Sequence, residues 1–460
     1  MKRSPIRPSA ERLRRVRQAS EALIAALEPE DLCLQGMPDA SPPKWHLAHT
    51  TWFFETFLLA GSLGERLGHQ PADPAWGFLF NSYYDSVGAR HPRPQRGLLT
   101  RPPLAAVLAW RHRVDRSLER LLDLLCSPPP DLSPAAVSAL QDLLELGLQH
   151  EQQHQELLLM DLLDGFSRHP LEPAYEAAVQ GWEASFRAAA LVPTSTVSSS
   201  QDSPSPEPGS GGESAPPLSA TGILPSGSPL ASASVRPREQ DGSPWLELAG
   251  GLVQIGHHGR GFHFDNEAPR HRVWLEPFSL SSQLVSNADY AAFIAAGGYE
   301  RPELWLSEGW AVRQQRGWQA PRYWRDGEEF TLAGRQPRLA AAPVRHLSWF
   351  EADAFARWAG ARLPSEAEWE LACASLALPQ AFGLVWQWTC SPYRPYPGFQ
   401  PAPGAVGEYN GKFMSSQIVL RGSGYLTPAD HARPTYRNFF PPASRWMAAG
   451  LRLARGGEPQ

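Results

Sequence analysis

His150 and His154 stand four residues apart in a leucine-rich stretch, His150-Glu151-Gln152-Gln153-His154-Gln155-Glu156. On an α-helix, residues at that spacing sit above one another on one face, so the pair can present two imidazoles to a single ion, with Gln153 pointing to nearly the same side. A helix is what the surroundings predict. Ser133 is a suitable N-cap, Pro134 suits the first helical position, and Leu143, Leu144, Leu146, Leu148, Leu157, Leu158 and Leu159 supply apolar faces as the pattern runs toward Gly165. Further imidazoles come from Trp45-His46-Leu47-Ala48-His49, in a second apolar run that we expect to open with Ser41 as cap and Pro42 and Pro43 in the first turn.

Three chemistries fit such histidines. They can be hydrogen-bonded core residues on apolar helices. They can form the zinc-peptidase pattern H-E-x-x-H, in which Glu151 would be the general base beside a zinc-bound water. The longer continuation of that pattern is missing, because Leu157, Leu158, Leu159 and Met160 follow, although Glu172 or Glu176 stays open as a ligand. Or they can line a metal pocket between facing helices of a bundle.

Composition bounds the setting. The chain has 460 residues, long enough for two or three domains, and 42% hydrophobic content supports packed cores. A net charge of −5 gives no global electrostatic reason to bind nucleic acid or an anionic membrane. Cys33, Cys126, Cys373 and Cys390 are scattered and form no CxxC, which argues against a disulfide framework or thiolate zinc site and fits a reducing cytoplasm. No export signal or membrane span is expected, since charged residues from Glu11 to Arg17 follow the basic start.

The elements divide into two blocks. Helical spacing over Ala10 to Glu28, from Ser41 onward, from about Thr100 to Leu125, and from Ser133 predicts a four-helix bundle over residues 1–192. An irregular loop from Asn81 to Arg96 joins its second and third helices and carries Tyr83, Tyr84, Arg90, Arg93 and Arg96, either a solvated basic face or a carboxylate clamp. Residues 193–243 turn to Ser, Pro, Gly and Ala, the composition of a disordered linker. Residues 244–460 read as an α+β, loop-rich domain, with strands at Trp245 to Ile255 and His271 to Leu280 and a short helix from Asn287 to Ala295.

This second domain resembles the sulfatase-modifying-factor (formylglycine-generating-enzyme) type of C-type-lectin-like fold. The resemblance rests on Val285-Ser286-Asn287, Pro343-Val344, Ser348-Trp349, the run from Trp358 to Glu370, Gly383-Leu384-Val385-Trp386-Gln387-Trp388-Thr389, Arg421-Gly422 and Gly450-Leu451-Arg452-Leu453-Ala454. The first block resembles a DinB-like bundle in its iron-binding version, through His150-x-x-x-His154-x-Glu156 and Trp45-His46-Leu47-Ala48-His49. Together they resemble the ergothioneine-biosynthesis sulfoxide synthases, a resemblance that covers nearly the whole chain apart from the linker. Asn81-Ser82-Tyr83-Tyr84, Tyr393 to Phe399 and Tyr436-Arg437-Asn438-Phe439-Phe440 are similar to family segments as well.

The resemblance implies a non-haem Fe(II) enzyme that uses O2 to join a thiol sulfur to C2 of the imidazole of Nα-trimethylhistidine, forming a sulfoxide. Cysteine or γ-glutamylcysteine would be the donor, or a selenosugar in the selenoneine-forming variant. His49, His150 and His154 would hold the metal, with His46 and Glu156 outside the ligand set. Tyr84, supported by Tyr83, would be the proton donor, because Val406 and not a tyrosine stands at the position aligned with the one where some members carry theirs. Gln153 and Asn438 would hold the histidine substrate, Phe439 and Phe440 its trimethylammonium, and Arg90 and Arg93 the carboxylate of the sulfur donor. Gln387, Leu384 and Ser423-Gly424-Tyr425 depart from the lectin-like pattern and weigh against calcium binding, while the missing paired C-terminal cysteines weigh against sulfatase modification. A non-catalytic lectin-like module is the remaining alternative; the partners expected are small molecules, and the oligomeric state stays open.

Overall fold

Four long helices build the first block: α1 (Ala10–Ala22), α2 (Pro43–Leu58), α3 (Leu104–Cys126) and α4 (Pro134–Arg168). Ser133 Oγ accepts from the Ala136 N–H at 3.2 Å with Pro134 in the first turn, as expected, and α4 runs 35 residues to Arg168. The computed structural model describes residues 8–175, 182–191, 245–259, 261–402, 405–408 and 410–457, so the whole of the expected linker at 193–243 lies outside the described residues. Two helix ends differ from expectation. α1 stops at Ala22 and not near Glu28; the chain turns there, and Tyr175 Oη donates to the Leu23 carbonyl at 2.6 Å, satisfying an acceptor that a continuing helix would have used. α2 is flanked by Pro42 and not capped by Ser41, whose N–H donates to Asp161 at 2.7 Å and whose hydroxyl accepts from Arg96 at 2.8 Å.

α2 and α4 cross closely because Gly147 leaves room: a Cβ there would meet Phe54 Cε1 at 2.3 Å. Gly147 is one turn before His150 and Phe54 five residues past His49, so this contact sets the separation of the two histidine-bearing helices.

A helix, α5 (Trp182–Leu191), precedes the second block. There β1 (Trp245–Leu248) and β2 (Gly251–Ile255) replace the single strand expected, broken where Gly250 takes φ +68°. Likewise β3 (His271–Leu275) and β4 (Phe278–Ser281) are separated at Pro277. The helix α6 (Asn287–Ala295) forms at the expected bounds, its Ser286 accepting from the Asp289 N–H at 3.2 Å. The remaining strands are β5 (Trp324–Arg325), β6 (Glu328–Thr331), β7 (Gly334–Pro337), β8 (Trp386–Pro392), β9 (Ile418–Gly422), β10 (Asn438–Phe440), β11 (Ala449–Gly450) and β12 (Ala454–Gly456). They pair as β1-β4-β12, β2-β3, β5-β6-β7 and a four-stranded sheet β10-β9-β8-β11, in which β11 runs parallel to β8. Asn438 is paired with Leu420 of β9, so the central sheet aims the 438–440 strand at the bundle. One hydrophobic core runs through both blocks and contains Phe53, Leu148 and Leu159 together with Trp386 and Trp388. No helix among the described residues is long and apolar enough to cross a membrane.

Candidate metal centre

His49 from α2 and His150 and His154 from α4 are the cluster of three metal-binding side chains among the described residues, their ligand atoms all within 4.8 Å of one another. His49 Nε2 lies 3.3 Å from His150 Nε2, and its Nδ1 donates to the Phe80 carbonyl at 2.7 Å. Trp45 stacks on His49 at 4.6 Å between ring centroids, and the Arg96 guanidinium lies 3.4 Å over the outer Trp45 ring. Burial pushes His49 and His154 well below the ordinary imidazole pKa, helped by the neighbouring His150, and brings His150 down to about 3. All three rings are therefore neutral near pH 7, the state in which imidazole binds a metal. Three neutral nitrogen donors suit a divalent first-row metal such as iron and do not suit calcium or magnesium.

His46 lies behind the cluster, its Nδ1 2.8 Å from His154 Nδ1 and its Nε2 3.2 Å from Asp161 Oδ2. Asp161 follows His154 by two helical turns, a spacing that could have exposed this pairing in the sequence.

The zinc-peptidase reading fails on Glu151. Its carboxylate turns away from the cluster, accepting from Arg17 at 2.8 Å, from Ser20 Oγ at 2.6 Å and from Arg111. Burial alone would raise its pKa, but the Arg111 and Arg17 guanidiniums outweigh that and hold it at about 2, too acidic for a general base near neutrality. Glu156 is not a ligand either. It bridges the two domains, accepting from Trp386 Nε1 at 2.7 Å and Thr427 Oγ at 2.8 Å, and burial raises its pKa to about 7 against those two bonds.

His150 and His154 open onto a cavity of about 1090 Å³ between the domains. Tyr83, Arg93 and Gln153 line it from the bundle and Asn438, Phe439 and Phe440 from the second domain, so these expected site residues are brought together. Gln153 donates through Nε2 to Tyr436 Oη, which also contacts His431 Nε2 at 3.2 Å. Phe439 stacks on Tyr393 at 4.0 Å and Phe440 meets Trp446 edge-on at 5.5 Å, which fixes both rings of that wall.

Two expectations are corrected. Arg90 does not line the cavity: it is exposed and paired with Asp85 at 2.8 Å, so only Arg93 of the expected clamp faces the site, while Arg96 is buried under Trp45. Tyr84 is fully buried among Trp52, Phe53 and Phe57, and it is Tyr83 that forms the cavity wall, hydrogen-bonded to Tyr84. Tyr436 was missed as a site residue, since nothing in its local pattern sets it apart from a packing aromatic. Tyr396, buried against Glu366 at 3.2 Å, is outside the cavity wall. Gln387, the departure weighed against calcium, has its amide oxygen taken by Trp369 at 2.7 Å and Arg452 at 3.0 Å.

With this geometry the comparisons with known proteins agree. Residues 12–158 match the model of the DinB superfamily, and residues 231–382 that of the sulfatase-modifying factor enzyme 1-like domain. A hercynine oxygenase of Mycolicibacterium smegmatis is 34% identical over 292 residues, covering 52% of this chain and 65% of that protein. One of Mycobacterium tuberculosis is 35% identical over 236 residues, covering 41% and 55%. Over these stretches the chain is similar to the hercynine oxygenases. The aligned stretch spans less than two thirds of the length of either relative. A formylglycine-generating enzyme of Streptomyces coelicolor is 34% identical over 173 residues, covering 32% of this chain and 52% of that protein. The chain thus joins a DinB-like helical domain to a sulfatase-modifying-factor-like domain, the two domain types, in the order, that the sequence motifs resembled.

Proposed function

We propose that this protein is a non-haem Fe(II), O2-dependent sulfoxide synthase of ergothioneine biosynthesis, acting on hercynine (Nα-trimethylhistidine) and a thiol. The observation that carries the reading is a cluster of three neutral imidazoles, two of which, His150 and His154, open onto a cavity walled by both domains. The reaction balances: the thiol S–H and the imidazole C2–H are lost, a C–S bond forms, the sulfur takes one oxygen atom, and the second leaves as water. Four electrons pass from the two substrates to O2. Fe(II), held by His49, His150 and His154, supplies the redox chemistry that lets O2 react with a thiol at all.

The chain's own residues then do the positioning. Gln153, oriented by Tyr436, and Asn438 hold the polar groups of the histidine substrate. Phe439 and Phe440 present ring faces and edges suited to a trimethylammonium group. Arg93 pairs with a donor carboxylate. Tyr83 supplies a proton to the reacting oxygen: burial raises its pKa above that of a free phenol, so the proton is present throughout the neutral range.

The test is an anaerobic preparation given Fe(II), trimethylhistidine and, in separate arms, cysteine, γ-glutamylcysteine or a selenosugar, then O2. The expected product has the mass of both substrates plus O2 less water, and the arm that forms it identifies the donor. Oxidation of the thiol alone in every sulfur arm, with no adduct in any arm, would overturn the reading.

A further inference from the structure

A histidine binds a metal only through the ring nitrogen that lacks a proton, and the partner of the other nitrogen decides which one that is. For His49 the choice is made by the Phe80 carbonyl, which can only accept: Nδ1 carries the proton and Nε2 keeps its lone pair toward His150. His154 has no such fixed acceptor. Its Nδ1 faces His46 Nδ1 at 2.8 Å, and an imidazole nitrogen can either donate or accept. The direction is set one residue farther out. Asp161 Oδ2, which already accepts the Ser41 N–H at 2.7 Å, lies 3.2 Å from His46 Nε2. A carboxylate accepts, so His46 carries its proton on Nε2 and leaves Nδ1 as an acceptor. His154 must then carry its proton on Nδ1, which frees Nε2 for an ion.

His46 and Asp161 are both buried, so bulk water does not compete for either nitrogen. They also ride on the ligand-bearing helices, His46 one turn before His49 on α2 and Asp161 two turns past His154 on α4. Both nitrogens of His46 are engaged in this chain of contacts, which argues against His46 as a ligand itself.

We propose that Asp161 and His46 form a proton-ordering relay that holds His154 in the tautomer able to bind a divalent metal. They are positioning residues, and the inference rests on the three-histidine reading of the site.

Asp161→Leu tests it by removing the acceptor. With no carboxylate to hold a proton on Nε2, His46 can carry it on Nδ1 and donate to His154, leaving the His154 proton on Nε2, where it blocks coordination. Asp161→Asn is the control, because its amide oxygen can still accept from both the Ser41 N–H and His46 Nε2–H in the place of Oδ2. In the metal-free proteins, 15N NMR of the histidines should find His154 protonated on Nδ1 in wild type and Asp161→Asn, and in Asp161→Leu a substantial fraction protonated on Nε2, a change that a merely structural role would not produce. Co(II) affinity measured by chelator competition should fall about 10- to 100-fold in Asp161→Leu and in His46→Gln, and much less in Asp161→Asn. A wild-type His154 protonated on Nε2, or Asp161→Leu with the wild-type tautomer and Co(II) binding within two-fold of wild type, would overturn the relay. So would a Co(II) spectrum that loses a nitrogen donor in His46→Gln but not in His154→Gln. A wild type with normal Co(II) binding and tautomers that makes no sulfoxide would count against the proposed reaction and leave the relay standing.

Discussion

Tyr83 and Tyr84 are neighbours in the chain with opposite surroundings: one ring faces the cavity, the other packs among Trp52, Phe53 and Phe57. Tyr83→Phe keeps the ring and removes only the proton. It should retain metal and substrate binding while the product ratio, read by mass spectrometry, shifts from adduct toward oxidised thiol such as sulfinate. Tyr84→Phe should shift the ratio less; the reverse ranking would return the donor role to Tyr84. A second pair separates in the same way. Arg93 lines the cavity and Arg90 is spent on Asp85 at the surface, so Arg93→Ala should raise the KM for the thiol roughly 10- to 100-fold, the worth of a charge-assisted hydrogen bond, and Arg90→Ala should leave it nearly unchanged.

At the scale of elements, the site depends on how near α2 and α4 approach. Gly147 against Phe54 permits that approach, with no space for a methyl group. Gly147→Ala would gain helix propensity of about 1 kcal/mol, yet the clash with a buried ring costs about 1–3 kcal/mol and pushes the helices apart. The expected outcome is lower thermal stability together with weaker metal binding, since His150 lies one turn away. A variant with wild-type metal affinity would show that the helix separation is set elsewhere. The expected helices and strands were legible from caps, prolines and apolar spacing, as at Ser133-Pro134 and Ser286-Asn287. The end of α1 was not, because it depends on Tyr175, a residue 152 positions from the carbonyl that it binds.

On the whole molecule, the two domains meet through buried polar contacts as well as a shared core, and Glu156 is the clearest of these. Folding raises its pKa from 4.5 to about 7, so the folded metal-free protein favours the protonated carboxyl. Its stabilising contribution is complete below about pH 4.5 and is lost as the pH rises through 7, an effect of up to about 3 kcal/mol. Glu156→Gln keeps an acceptor for Trp386 without the charge. Denaturation of the metal-free proteins should show a shallower fall in stability between pH 5 and 7 for the variant, and greater stability than wild type at pH 8. The opposite order at pH 8 would mean that the carboxylate is held by charges outside this contact. A fragment ending at residue 175 should bind the metal yet form no adduct, because Asn438, Phe439 and Phe440 belong to the other domain; full activity of that fragment would refute a site shared by both.

The sequence by itself determined the helical bundle, the α+β domain after it and the pair His150 and His154, because these depend on spacing within single elements: four residues on a helix, apolar periodicity, a serine followed by a proline. It also carried the resemblance that brought His49, Gln153 and Asn438 forward. Only the tertiary structure decided which side of each helix faces what. It turned Glu151 to Arg17 and Arg111 and Glu156 to Trp386, drew Asp161 and His46 behind His154, and divided the adjacent tyrosines and the nearby arginines among cavity, core and surface. Those assignments follow from contacts between residues about a hundred or more positions apart in several cases, and from loop paths with no periodicity, so no local pattern in the chain encodes them.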